Sequence, residues 1–330
     1  MIQNRLANRI TFCAWNGNIM GPIVDEHGLE QGGLNSSDLY KVYNNELLEK
    51  VQKSKLGVPL SEDLVVSGVG QADDVCLLSN DLYSLNNLLQ LTLNFCQQFH
   101  IELSADKTKL LKISPRKDNT LTFSNPLTIY DQNIEFADQA EHVGVVRSPS
   151  GNLTHILHRI CAHKKSKAAL LSTGIARRNR GNVAAALRLH TIYSLPVLLS
   201  GIPSLLLSSQ EMNMIDSHHR STLNNLLKLY PSTTHAFTYF IAGSLPAKAI
   251  IHQRQLGLFS MICHLPNDPL YKRAKYALTC LSQSHKSWFT QIRDICLIYD
   301  LPHPLELLAS PMSKNPLRGL LDQKLFLTGR

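Results

Sequence analysis

The sequence predicts an α+β fold over residues 1–150, an antiparallel sheet with helices on one face, followed by an all-α region over 151–330. Three observations carry that expectation. Short runs of alternating or β-rich residues recur in the first third of the chain. Two longer stretches among them repeat apolar residues at helical intervals. After Gly151 the pattern is helical nearly throughout, Leu-rich, and broken by Pro196, Pro203, Pro231, Pro246 and Pro266. At 330 residues, 44% of them hydrophobic, the chain can bury enough core for two domains.

Residues 9–24 alternate around Asn16-Gly17-Asn18, and Asn-Gly between two such runs is a strong hairpin signal. From 35 to 55, opened by Ser36-Ser37-Asp38 as a cap, the apolar residues Leu39, Val42, Tyr43, Leu47 and Val51 follow helical spacing. Two β-rich runs at 64–69 and 75–78 flank Gly70-Gln71-Ala72-Asp73-Asp74. A second amphipathic helix is expected over 82–99, then strands at 101–103 and 110–113 around a turn at 104–107. A polar, Pro-containing stretch over 114–128 interrupts the pattern. The expected domains are 1–150, a basic helical region 151–230, and a helical region 231–330 of unknown role.

Charge divides the chain. Residues 1–150 hold 12 Lys/Arg against 18 Asp/Glu, and residues 151–330 hold 21 against 7. Between Glu141 and Glu211 no carboxylate occurs, while nine Lys or Arg residues do. Ordinary solvated surface mixes signs, so this window reads as facing a polyanion, with nucleic acid the leading candidate. His155, Arg159, His163 and Lys167 fall on one i, i+4 ridge, read as a half-cationic stripe toward phosphate in preference to a zinc site. Lys164, Lys165, Arg177, Arg178 and Arg180 extend the same surface. His218-His219 and Cys263-His264 have no partners at ligand spacing and are taken as structural. The seven cysteines are scattered with no C-x-x-C pair, and neither a secretory signal nor an uninterrupted apolar run of about twenty residues is apparent. The expectation is an intracellular protein, nuclear or cytoplasmic, with no membrane partner.

Individually the remaining motifs are weak. Asp73-Asp74 joins two β-prone runs, and adjacent carboxylates there repel unless a cation, commonly a divalent metal, offsets them. Gln31, Gly32 and Gly33 offer a close backbone approach just before a helix. Lys107 sits in a turn-like LSADKTKLL. Their order is more specific. A Gln-Gly opening a helix, Ala-Asp-Asp at 72–74, an amphipathic helix, Lys-Thr-Lys at 107–109 and HVGVV at 142–146 together resemble the palm of non-LTR retrotransposon reverse transcriptases. The resemblance runs from about Gly28 to Val146 and continues more loosely, through a thumb-like region, to about Arg254.

That resemblance implies an RNA-directed DNA polymerase scaffold with RNA template and DNA primer as partners and Mg²⁺ or Mn²⁺ as cofactor. It implies that Asp73 and Asp74 are metal-binding carboxylates, that Gln31, Gly32, Gly33 and Gln71 lie against template or nucleotide, and that Lys107 is a proton donor to pyrophosphate. Gly144 would help hold the primer end. Gln71 replaces the family's usual aromatic before Ala-Asp-Asp. The strand bearing the first catalytic aspartate would lie upstream of Gln31, where only Asp25, Glu26 and Glu30 occur, so Met1 is read as a truncated start. The expectation is an incomplete polymerase, inactive as this chain. The alternative is a non-enzymatic nucleic-acid-binding protein that retains the scaffold.

Overall fold

A computed structural model of the chain describes residues 9–25, 36–61, 63–113, 126–175, 182–281, 284–312 and 319. The chain divides into two compact units, residues 1–59 with 65–103, and 60–64 with 104–330. Among the described residues the strands form five two-stranded sheets.

In the first unit, β1 (Arg9–Trp15) and β2 (Asn18–Asp25) pair antiparallel across Asn16-Gly17. Both turn residues have positive φ, 48° and 79°, which is what a type I′ hairpin turn needs and Asn-Gly supplies. Helix α1 (Ser36–Lys53) confirms the first helical pattern, and α2 (Leu82–Gln98) the second. The Asp81 side chain caps α2 by accepting from the Ser84 N–H at 2.8 Å, and that bond holds its carboxyl below the usual range. After β3 (Val58–Ser61) and β4 (Leu64–Val66), strands β5 (Gly68–Gln71) and β6 (Asp74–Leu77) form the expected hairpin. Leu47 and Val51 of α1 pack with Leu88, Phe95 and Cys96 of α2, and Val75 and Leu77 of β6 lie against them. The glycines of β5 make this approach possible. A Cβ on Gly68 would sit 2.9 Å from Val51 Cγ1, and one on Gly70 would sit 3.1 Å from Leu48 Cδ1.

The packed face of α1 runs through Asn44, Leu47 and Val51, which leaves Val42 75% exposed. One expectation fails here. Residues 101–103 and 110–113 form no ladder. Ile101 and Leu103 pack as side chains on the α1–α2 core, and Leu110 makes only an isolated bridge to Phe136.

In the second unit come the short hairpins β7 (Thr128–Ile129) with β8 (Gln132–Asn133), and β9 (Ala140–His142) with β10 (Val145–Arg147). Val143 and Gly144 make the second turn, both at positive φ. The helices are α3 (Leu153–Ser172), α4 (Val183–Leu189), a π-helical turn over His190–Ser194, α5 (Leu195–Leu199), a 3-10 turn over Ile202–Ser204, α6 (Ser209–Leu227), α7 (His235–Ala242), α8 (Ala247–Cys263), α9 (Pro269–Thr279), α10 (Trp288–Ile298) and α11 (Pro304–Ala309). Helix α8 serves two cores. Ala247 and Ile251 join Ile156, Leu198, Leu199 and Ile215, while Leu256, Phe259 and Cys263 join α9, α10 and α11. Val145 packs into the first of these cores, and the second unit runs continuously from 104.

The helical run 183–204 is long and apolar enough, by length and composition, to cross a membrane. Its Leu195, Leu198, Leu199 and Ile202 are buried in the first helical core, while 33% of the apolar window as a whole is buried. All seven cysteines are free.

Candidate functional site

The β5–β6 turn consists of Ala72 and Asp73, with Gln71 paired to Asp74. Only the first central residue, Ala72, has positive φ, at 53°, as in a type II′ turn. Glycine is the usual residue there, so alanine carries a local strain of about 1 kcal/mol. Asn44 of α1, itself buried, donates from Nδ2 to the Ala72 carbonyl at 3.2 Å and pins the turn to the helix. Gln52, two turns further along, accepts from the Ser67 N–H at 3.3 Å and donates to the Val65 carbonyl, fixing the strand that leads into the hairpin. Gln71, Asp73 and Asp74 are all exposed at the tip. Tyr40 of α1 is close enough to feel Asp73. Burial, and then that negative charge, push its phenol above the ordinary value.

The structure therefore brings Gln71, Asp73 and Asp74 together on one pinned turn. Sequence reading missed Asn44, Tyr40 and Gln52. The available signal was Asn44 itself, a polar residue three before Leu47 and seven before Val51 on the buried stripe. Gln31, Gly32 and Gly33 lie outside the described residues. Lys107 is exposed, in a turn of the second unit where Thr108 bonds back to the Ser104 carbonyl through N–H (3.1 Å) and Oγ1 (2.8 Å).

Two adjacent exposed carboxylates are hard oxygen donors suited to Mg²⁺, but a two-metal centre needs carboxylates from more than one element. Among the described residues, no group of three or more His, Cys, Asp or Glu side chains is placed to hold a metal. The donor set of these residues does not fit a two-metal centre.

The phosphate-facing ridge on α3 is corrected in its histidines. His155 and His163 are fully buried. His155 Nδ1 accepts from the Val146 N–H at 3.1 Å, and its Nε2 lies 3.0 Å from the Ser200 carbonyl. His163 Nδ1 is 2.9 Å from His218 Nε2, one ring donating its N–H to the other. His190 and His219 continue this group, stacked with centroids 5.5 Å apart. His163 Nε2, His190 Nε2 and His219 Nδ1 have no hydrogen-bond partner among the described residues. Burial, together with neighbouring imidazoles and Lys167, pushes His163 down to about 3, and burial with His218 and Lys167 pushes His190 down to about 4. These rings are neutral core groups and do not charge near pH 6.5. Arg159 is turned inward as well, its Nε donating to the Val197 carbonyl at 2.9 Å. The ridge fails because the face carrying Ile156, Ile160 and His163 is the one that packs on α5 and α6. Lys164 and Lys165 are exposed and Lys167 is half-buried, while Arg177, Arg178 and Arg180 lie outside the described residues.

The described residues thus place a hairpin with paired carboxylates at its tip against two packed helices. Residues 2–143 match the family model of reverse transcriptases, RNA-dependent DNA polymerases. That segment covers less than half of the 330 residues and contains Asn44, Gln71, Asp73, Asp74 and Lys107. No curated protein and no solved structure matches the chain.

Proposed function

We propose that residues 2–143 are the palm portion of an RNA-directed DNA polymerase of the non-LTR retrotransposon kind, and that the basic helical region after it contacts template and primer. The observation that carries this reading is the Ala-Asp-Asp turn inside the matched segment, exposed at its carboxylates and pinned from below by Asn44. In the parent enzyme the carboxylates would hold the metal ions of nucleotidyl transfer. These 330 residues alone are proposed to be inactive, since the described residues supply only part of the donor set. Primer extension on a primed RNA template with Mg²⁺ or Mn²⁺ tests this. The expected result is no product, and product that disappears in Asp73→Asn overturns the proposed inactivity.

A second reading, a non-enzymatic nucleic-acid-binding protein on the same scaffold, is favoured by the carboxylate-free window at 142–210 with exposed Lys164 and Lys165. RNA binding that is independent of Mg²⁺ and unchanged in Asp73→Asn supports it. In either case binding should weaken with salt, because phosphate contacts release counterions.

A further inference from the structure

The second unit contains a cavity of about 830 Å³ whose walls come from the π-turn and α5, the 3-10 turn, the Gly243–Leu245 corner and one face of α8. Leu195, Leu199 and Leu256 make its inner wall apolar, and the partly exposed Leu258 and Met261 give it an apolar rim. Among the described residues no carboxylate lines it, and Arg254 is the one charged residue of the lining. Arg254 is partly buried and makes no ion pair or hydrogen bond with any described residue. Its five N–H donors face this half-open space with no carboxylate beside them, and partial burial pulls its pKa below the ordinary value. The Ser200 side chain lines the same space. Ser204 and Ser244 hydroxyls line it too but donate to the Gly201 and Leu245 carbonyls, which leaves the guanidinium as the main free donor. The adjoining π-turn adds a second feature, since such turns concentrate at functional sites in helical proteins.

We propose that this cavity binds a phosphate-bearing ligand of nucleotide size, with Arg254 paired to the phosphate and the Leu195–Leu199 wall taking the apolar part. Its volume lies within the range of small-molecule sites. An acid-free lining with one fork-shaped cation favours a compact anion over a neutral or cationic guest. Phosphate is chosen over carboxylate because the unit is strongly basic, so this choice rests on the nucleic-acid reading above. The phosphate can belong to a free mononucleotide or to the end of a nucleic-acid strand.

The test uses the full chain with three probes: inorganic phosphate, adenosine monophosphate, and a fluorescent 5′-phosphorylated RNA twelve-mer compared with its unphosphorylated form. Arg254→Gln should weaken nucleotide binding about ten-fold or more, the loss of one charge-assisted contact, and Arg254→Lys should weaken it less. Met261→Trp, at a position 59% exposed, should block the mouth at little cost to the fold. It carries the test if thermal melting shows Arg254→Gln unfolded. Loss of mononucleotide binding in Arg254→Gln and Met261→Trp with RNA binding intact supports a free-nucleotide site. Loss of the preference for 5′-phosphorylated RNA in the same variants supports a strand-end site. RNA bound by the wild type with no response to either variant, and no mononucleotide bound, overturns the cavity proposal while the nucleic-acid reading stands. Failure of the wild type to bind any of the three probes overturns both.

Discussion

The hairpins at 9–25 and 68–77 are built alike as far as their turns, each a short antiparallel pair closed by two residues, and they differ in what lies over them. In β5–β6, two glycines let α1 come down onto the strands, and Val75 and Leu77 join the Leu47–Phe95 core. In β1–β2, Phe12, Trp15, Ile19 and Met20 are between 59% and 77% exposed. An alternating pattern is enough to pair two strands. A cover has to be provided by another element, and the carboxylate turn of the candidate site is on the hairpin that has one.

The largest test of that contrast is truncation. Phe95→Ala, at a side chain 2% exposed, should cost about 3–5 kcal/mol, whereas Trp15→Ala should stay within about 0.5 kcal/mol. Urea titration of both variants checks it, and equal losses would mean that β1–β2 is covered in solution. The second test moves to the helical unit, where the buried histidines lie. Their unfolded imidazoles titrate near 6.5, while His163 and His190 in the fold sit at about 3 and about 4. Between those values the unfolded chain binds more protons, so stability present above about pH 6.5 is lost as pH falls toward 4. At about 1.4 kcal/mol per pH unit, His163 alone accounts for roughly 3 kcal/mol. Hydrogen exchange at falling pH should open α3 and α6 before the α1–α2 core, which has no buried histidine among the described residues. Simultaneous opening would remove the histidines as the cause.

A smaller effect is expected at the pin. Asn44→Ala removes the donor to the Ala72 carbonyl and should cost about 1–3 kcal/mol, with faster amide exchange at Asp73 and Asp74. Unchanged exchange would show that the turn holds itself. The smallest change is a gain. Ala72→Gly relieves the positive φ and should stabilise by about 1 kcal/mol at most. A loss would mean that alanine's methyl packs at the turn.

Much of the candidate site is legible in the amino-acid sequence, because its signals are local. Asn16-Gly17 determines a turn by its own backbone preferences, the spacing in 36–53 and 82–98 determines two helices, and Ala72-Asp73 can only be a tight connection between its flanking strands. The order of Ala-Asp-Asp, Lys-Thr-Lys and Val-Gly points to the palm that the family match at 2–143 supports. What the sequence does not carry is which face of an element finds a partner. His163 reads as cationic beside Lys164 and Lys167, yet His218, 55 residues away, sits 2.9 Å from it and belongs to the helix that buries it. Ile101 and Leu103 have strand-like residues but no neighbouring strand in register, so they pack as side chains instead. Turn chemistry and periodicity are set within a few residues, whereas burial, and with it charge state, depends on contacts between segments far apart in the chain, which only the tertiary structure decides.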